Sequence, residues 1–576
     1  MQLDDFRAAD TPAGRLILNP ADLGPHINVP LRVWPVRGAG LLWLNDRWLL
    51  ENGVDVTEPD VRTRISHSIL EAFAVSTVPS PGMVPLRHLG AERYGGTGGA
   101  VHGGSGRCGS AGDFNAKGIG RTPLVSEAMD IYHKHGWLSL SEALREAVNA
   151  EIADIELPYG GVPVVAIIDT GRSFQVEPDS PWERAAIVVR PNFVRPAHFE
   201  RSIFFGDSGH PAAQQFIDAQ RVRDAVTAAA AAPARYPSLT DMFLRFSRQI
   251  GAARAKRLWQ GQFLTSNLSV DGALADFGSF RSVPNWRATV GQAGERFGTE
   301  LTQLRKAMLS LAFYITKYAG DTLAALDLRA FLPQIEQAEA DAFADACRWG
   351  LGLEDPAAAD LTRALQDYYQ LQQATRLADN VPEATSWLYD FFSPTREPAA
   401  GPRRELALGR HIRSLFDRAA SGNHRESTSL NKARRFLCPQ PMLSYQLASG
   451  RARRIEQAIA AGHPAPARLV ETHIRGQVAR HRRSWATLPT HLDVIGRRSG
   501  SDLLHCLDLR TGASCLWLEG YRLGDRAVLD GRAIPLSSLD REPRSRGNRI
   551  GIALPFDDDI SLTRPAGDRT ISLTPA

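Results

Sequence analysis

Apolar positions change their rhythm several times along the chain, and each change predicts a different element. Residues 1–90 carry short runs rich in apolar and β-branched side chains, INVPLRVWPV and GLLWLNDRWLL, broken by Pro and Gly in the manner of strands and turns. From Ser139 to Ala153, SLSEALREAVNAEIA spaces its apolar residues three and four apart, which predicts a helix. VPVVAIID and AAIVVR then read as strands flanking a turn. Residues 213–263 alternate helical stretches with TAAAAAPARYP, read as a loop. Helical patterns fill 299–392, where Leu301, Leu304, Met308 and Leu311 form a core-facing stripe. The segment Ser393–Arg404, SPTREPAAGPRR, is rich in Pro and small residues and predicts a domain boundary. A helical stretch follows to about residue 484, and then a strand-turn rhythm, DLLHCLDLRTGASCLWLEGYRLGDRAVLDG, predicts a small antiparallel β unit. The expected units are a strand-rich segment 1–60, a Gly-rich sheet unit 61–210, a helical unit 211–392 and a C-terminal module 405–576.

At 576 residues and 63.0 kDa the chain is long enough for several packed units. Its hydrophobic fraction of 43% and charged fraction of 23% exclude general disorder. No run reaches the roughly 18 to 20 apolar residues of a membrane span, and MQLDDFRAAD lacks the basic-then-apolar order of a secretory signal. The expectation is a cytoplasmic protein. Five scattered cysteines without CxxC spacing predict reduced thiols and no structural zinc. The net charge of +4 is uneven: residues 401–576 hold 29 Lys+Arg against 17 Asp+Glu, and the remainder 38 against 46. Lys432 is the single lysine of that basic module. A basic module suggests an acidic partner, but compositional bias can produce the same arginine excess, and a nucleic-acid partner is not expected.

The chemistry lies in an ordered series. A Gly-dense segment, YGGTGGAVHGGSGRCGSAGDFNAKGIG, precedes one lysine on an expected strand, Lys117, then Glu146 inside the expected helix, Arg190 and Arg195, and finally Asn267 and Asp276. Glycines let backbone N–H groups approach phosphates, a lysine neutralises their charge, a glutamate holds the lysine, and Asn with Asp supplies hard oxygen donors for magnesium. That inventory belongs to an α+β, protein-kinase-like fold of two lobes, here with a C-terminal helical and β extension. Gly103, Gly104, Gly106 and Arg107 are the candidate phosphate cradle. Glu151 competes with Glu146 for the lysine. His102, within the glycine loop, reads as solvent-facing and His198 as structural.

The strings KGIGRTP, LREAVNAEIA, RPNFVRPAHFE and QGQFLTSNLSVDGALADFGSF resemble, in order, motifs of the selenoprotein O family, kinase-like proteins that transfer AMP in place of phosphate. The resemblance covers about residues 93–281. It implies ATP with Mg2+ or Mn2+ as cofactors, Lys117, Arg190 and Arg195 on phosphates, Glu146 as the partner of Lys117, and Asn267 and Asp276 as metal ligands. Two features depart from the family. Thr265-Ser266-Asn267 stands where the family has Thr-Asp-Asn, so the aspartate that serves as base is missing, and the C-terminal selenocysteine or cysteine has no counterpart. Loss of a general base costs about 10² to 10⁴ in rate. A carboxylate acceptor, already ionised at neutral pH, needs no base; Asp271 is the candidate substitute if the acceptor is a hydroxyl.

The Gly-rich pattern with an appended C-terminal module is also similar to MchC-type proteins of microcin maturation. That similarity implies a peptide or protein substrate, activation of a peptide C-terminal carboxylate, and an acyltransferase-like partner protein. The expected function is thus AMP transfer to a peptide or protein. The alternatives are a nucleotide-binding pseudokinase that acts as a scaffold and a kinase-like phosphotransferase.

Overall fold

The computed structural model describes residues 17–79, 84–96, 103–125, 131–202, 212–319 apart from a few positions between 284 and 294, 328–353, 358–374, 388–392, 403–420, shorter pieces to 437, 445–484, and strands within 492–575. The first part of the chain runs β1 (Asn28–Pro35), β2 (Gly40–Leu44), α1 (Asp46–Glu51), α2 (Pro59–Phe73), β3 (Val75–Ser76), β4 (Arg87–Glu92), β5 (Cys108–Ala111), β6 (Phe114–Lys117), α3 (Ile131–Lys134), β7 (Leu138–Ser139), α4 (Leu140–Glu156), β8 (Ala166–Phe174) and β9 (Glu183–Pro191). The strands join in one antiparallel sheet, ordered β2-β8-β9-β6-β5-β4-β1-β3, with β7 beside β9.

The stretches Ala166–Ile168 of β8 and Ala185–Val189 of β9 are unbroken apolar runs because helices cover both faces of the sheet there. Ile167 and its cross-strand partner Val188 face α4, whereas the next pair, Ile168 and Ile187, faces the core formed with Ile65, Ile69 and Phe73 of α2. Helix α4 is capped by Ser139, whose side chain accepts from the N–H of Glu142, and most of its circumference is buried.

A helical part follows: α5 (Ala212–Ala231), α6 (Leu239–Ala255), the small β10 (Leu258–Trp259) and β11 (Arg281–Ser282) pair, α7 (Glu300–Ala319), α8 (Leu328–Leu351), α9 (Ala359–Ala374), α10 (Arg403–Ala420), α11 (Tyr445–Ala460) and α12 (Pro466–Ser484). Helices α6 and α8 approach closely at Gly251, where a Cβ would lie 2.1 Å from the Glu339 carbonyl oxygen. The backbone strands β12 (Leu492–Arg497), β13 (Leu503–Asp508), β14 (Ser514–Leu518), β15 (Tyr521–Leu529), β16 (Arg532–Pro535), β17 (Asn548–Ala553), β18 (Asp559–Leu562) and β19 (Arg569–Pro575) form an eight-stranded sheet, antiparallel except for β17 beside β19. Its register sets Cys506 opposite Cys515.

The architecture is α+β, with a large antiparallel sheet and many helices, and among the described residues no helix is long and apolar enough to cross a membrane. Four expectations change. GLLWLNDRWLL is a strand followed by a helix, because Asn45 caps α1 by accepting from the N–H of Trp48. The stretch TAAAA continues α5, alanine being a strong helix former, and the loop begins at Ala232. Residues 28–44 are integral to the main sheet, so no unit ends at residue 60. The proposed boundary at Ser393–Arg404 lies mostly outside the described residues, yet the core continues past it: the Phe392 and Phe416 rings meet at 5.1 Å, and Arg287 pairs with Glu405. Helices α11 and α12 pack on α4, and Glu456 accepts from the N–H groups of Ser141 and Arg184. The helical half of the expected C-terminal module therefore belongs to the main body.

Candidate functional site

Strand β6 ends at Lys117, whose Cα lies opposite Val188 on β9 and Cys108 on β5. The lysine is 3% exposed and bonds the carboxylate of Glu146, itself 1% exposed, and Oδ1 of Asp276 at 3.0 Å. Glu142 stands one turn before Glu146 on α4, with Oε1 3.9 Å from the lysine nitrogen. Arg107 donates to that same Oε1 at 2.8 Å and to the Trp137 carbonyl at 3.3 Å.

Asp276 has a left-handed backbone, φ +61°, uncommon for a residue with a Cβ. Its neighbour anchors it. Phe277 lies against Gly161, where a Cβ would come within 2.2 Å of the ring; Asn149 donates to the Phe277 carbonyl at 3.2 Å, and Arg145 to that of Gly278 at 2.8 Å. The DFG segment is thereby locked to the helix that carries both glutamates.

Burial alone would raise the carboxyl of Asp276, but Lys117, then Arg107, hold it well below the usual carboxylate range. Glu142 is likewise pulled down to about 2, against its burial, chiefly by Arg107 and then by Lys117 and Arg145. Glu146 moves the other way: burial raises it, and Lys117 only partly opposes this.

The arginines occupy the flank. Arg190 on β9 lies opposite Asn115 and donates to its Oδ1 from Nε and Nη2 at 3.2 and 3.1 Å. Arg195 stacks on Phe193 at 4.2 Å and Tyr94 at 4.9 Å, and donates to the Ser266 carbonyl. His198 accepts from the Arg195 N–H at 2.9 Å, and burial followed by Arg195 and Arg221 keeps it well below its ordinary range, so it is a neutral structural group.

Asn267 is bound next to the aspartate segment through its backbone: its carbonyl accepts from the Ala275 N–H at 2.8 Å, and Gln260 bridges both carbonyls. Its side-chain amide donates to the Gln262 carbonyl at 3.2 Å. Thr265 is structural, donating to the buried Glu200 at 2.5 Å. Gly104 has φ +149° and would set a Cβ 2.1 Å from the Glu92 carbonyl oxygen, so it packs on β4; Gly103 and Gly106 accept from the N–H groups of Tyr94 and Thr122. His102 lies outside the described residues.

Two further candidates lie beside other groups. Glu151 does not compete for Lys117, because it pairs with Arg47 at 2.8 Å and accepts from Asn45. Asp271 sits at the turn between the bridged residues Leu268 and Leu274, in the wall of a separate cavity of about 1140 Å³ lined by Arg47, Tyr159 and Arg245 and by none of Lys117, Glu146 and Asp276.

One oxygen from each of Glu142, Glu146 and Asp276 lies within 4.8 Å of the others, a hard donor set that fits magnesium or manganese. Asp276 is 40% and Glu142 23% exposed, so these two form the open side of the cluster. Sequence reasoning missed Glu142, although its four-residue spacing from Glu146 was a usable signal. Comparison of the sequence with protein-family models finds no match, and a search of curated proteins finds none.

Proposed function

We propose that the chain is an ATP- and magnesium-dependent nucleotidyltransferase, kinase-like and similar to selenoprotein O, that transfers AMP to a carboxylate of a peptide or protein. The observation that carries this reading is the contact of Lys117 with both Glu146 and Asp276, which gathers one cation and two carboxylates from distant segments. Lys117 would hold phosphate oxygens, oriented by Glu146, and Arg190 and Arg195 would add positive field. Asp276, with Asn267 or Glu142, would hold the metal, which when bound neutralises charge on the phosphates. The acceptor carboxylate oxygen bonds the α-phosphorus as the bond to the β-phosphate oxygen breaks, giving an acyl adenylate and pyrophosphate. No proton has to leave, because the carboxylate is ionised at neutral pH.

The carboxylate acceptor is favoured over a hydroxyl by two placements. In the sequence Ser266 stands where the resembled family has its aspartate, and Asp271 lines another cavity. A peptide in microcin-type maturation, with an acyltransferase-like partner, is the substrate we favour. Ser266 equally favours a second reading, a nucleotide-binding scaffold.

Incubation with α-labelled and γ-labelled ATP and candidate peptides tests these readings. Label from the α position, lost on treatment with hydroxylamine, together with pyrophosphate release that Asp276→Ala abolishes, supports the proposal. Transfer of the γ label would mark a phosphotransferase, and nucleotide binding without turnover in the partner's presence would mark the scaffold.

A further inference from the structure

The two cations nearest the carboxylate cluster are already engaged by it. Lys117 bonds Glu146 and Asp276, and Arg107 bonds Glu142 through the same oxygen that lies 3.9 Å from Lys117. Gly278 sits between the two more exposed carboxylates: a Cβ there would be 3.5 Å from Glu142 Oε1 and 3.7 Å from Asp276 Oδ1. A phosphate entering from that open side meets two carboxylates before it meets either cation. Repulsion opposes its entry, and the donors that would bind it are committed elsewhere.

We propose that Glu142 is a positioning residue that holds Arg107 away from incoming phosphate until a divalent ion engages the carboxylates, which makes polyphosphate capture metal-dependent. The inference rests on the triphosphate reading of this site. Arg107 is suited to the exchange. It directly precedes β5 at the end of the glycine segment, and its backbone is fixed by the Gly118 N–H donating to its carbonyl at 2.8 Å. Only the guanidinium has to swing, from a carboxylate to a phosphate of like geometry. A divalent ion shared by Asp276 and Glu142 competes directly for the oxygen that now accepts from Arg107.

The test is calorimetric titration of the full chain with inorganic tripolyphosphate, with and without Mg2+, and with ATP in parallel. The variants are Glu142→Gln, Arg107→Ala and the double substitution. In the wild type, removing Mg2+ should weaken tripolyphosphate binding about tenfold or more, and Glu142→Gln should restore about tenfold in the metal-free titration. In the Arg107→Ala background the same substitution should restore less than about threefold. An equal gain in both backgrounds would mean simple removal of negative charge and would overturn the proposal, as would no gain in Glu142→Gln or metal-independent binding by the wild type. The expected pattern with tripolyphosphate, but without tighter binding of ATP, would support the lock and count against the nucleotide reading.

Discussion

Lys117 and Asp276 are 159 positions apart in the chain, and their side chains meet at 3.0 Å. The contact joins the end of β6 to a left-handed turn that is held by Phe277 against Gly161 and α4. Everything proposed for the site depends on that junction.

Removing the lysine strands a buried carboxylate. Lys117→Met should lower the stability of the fold by ~3–5 kcal/mol, because Glu146 keeps its burial and loses its cation. Lys117→Met combined with Glu146→Leu should recover a large part of this, since an apolar pair replaces the ion pair. Urea denaturation of the single and double variants checks both statements.

The acid limb of stability should carry the mark of Glu142. Its folded-state carboxyl is lowered from an ordinary 4.5 to about 2, first against burial and then through Arg107. A lowered carboxyl stabilises the fold above its unfolded-state value and loses that contribution as pH falls through the folded one. The stability advantage of the wild type over Glu142→Gln should therefore be full above about pH 5 and shrink toward pH 2. Denaturant midpoints measured across that range test the sign; an advantage that grows on acidification would contradict it. Glu146 acts in the opposite sense. Burial raises it, so its contribution diminishes as pH rises through its folded-state value.

Gly161→Ala should disturb the site without touching it. The new methyl would meet the Phe277 ring at 2.2 Å and force the anchor of Asp276 to shift. Overpacking of this kind costs ~1–3 kcal/mol. ATP affinity should fall along with the thermal midpoint, whereas Gly450→Ala, on α11 with open space where its Cβ would stand, should leave ATP affinity unchanged.

That Lys117, Glu146 and Asp276 come together was legible because a lysine and two carboxylates form complementary charges and the segments carrying them have clear rhythms. Arg107 was legible as a cation but not as the partner of Glu142, since nothing local joins a glycine segment to the first turn of α4. The cavity that Asp271 lines was not legible, because the bridge between Leu268 and Leu274 that turns the chain there is not a local sequence signal. The expected breaks at residue 60 and at 393–404 are crossed by packing for a related reason. A Pro-rich stretch signals a break in regular structure, but whether the core continues beyond it depends on long-range packing, here of α10 on α9 and of α11 and α12 on α4.

That packing makes a deletion prediction. A chain ending at residue 484 keeps Glu456 and the helices covering α4, and should remain folded and bind ATP. A chain ending at residue 402 uncovers α4, breaks the Arg287–Glu405 pair and leaves Phe392 without Phe416; it should aggregate or unfold. Circular dichroism and size-exclusion profiles of the two chains distinguish these outcomes.

The central claim is that Lys117 and Asp276 serve one triphosphate and its metal. Titration of ATP in the presence of Mg2+ tests it most directly. Binding by the wild type that falls by about tenfold or more in both Lys117→Met and Asp276→Asn, with either variant still folded by circular dichroism, is the predicted result. Folded variants that bind ATP as the wild type does, or a wild type that binds none, would contradict it.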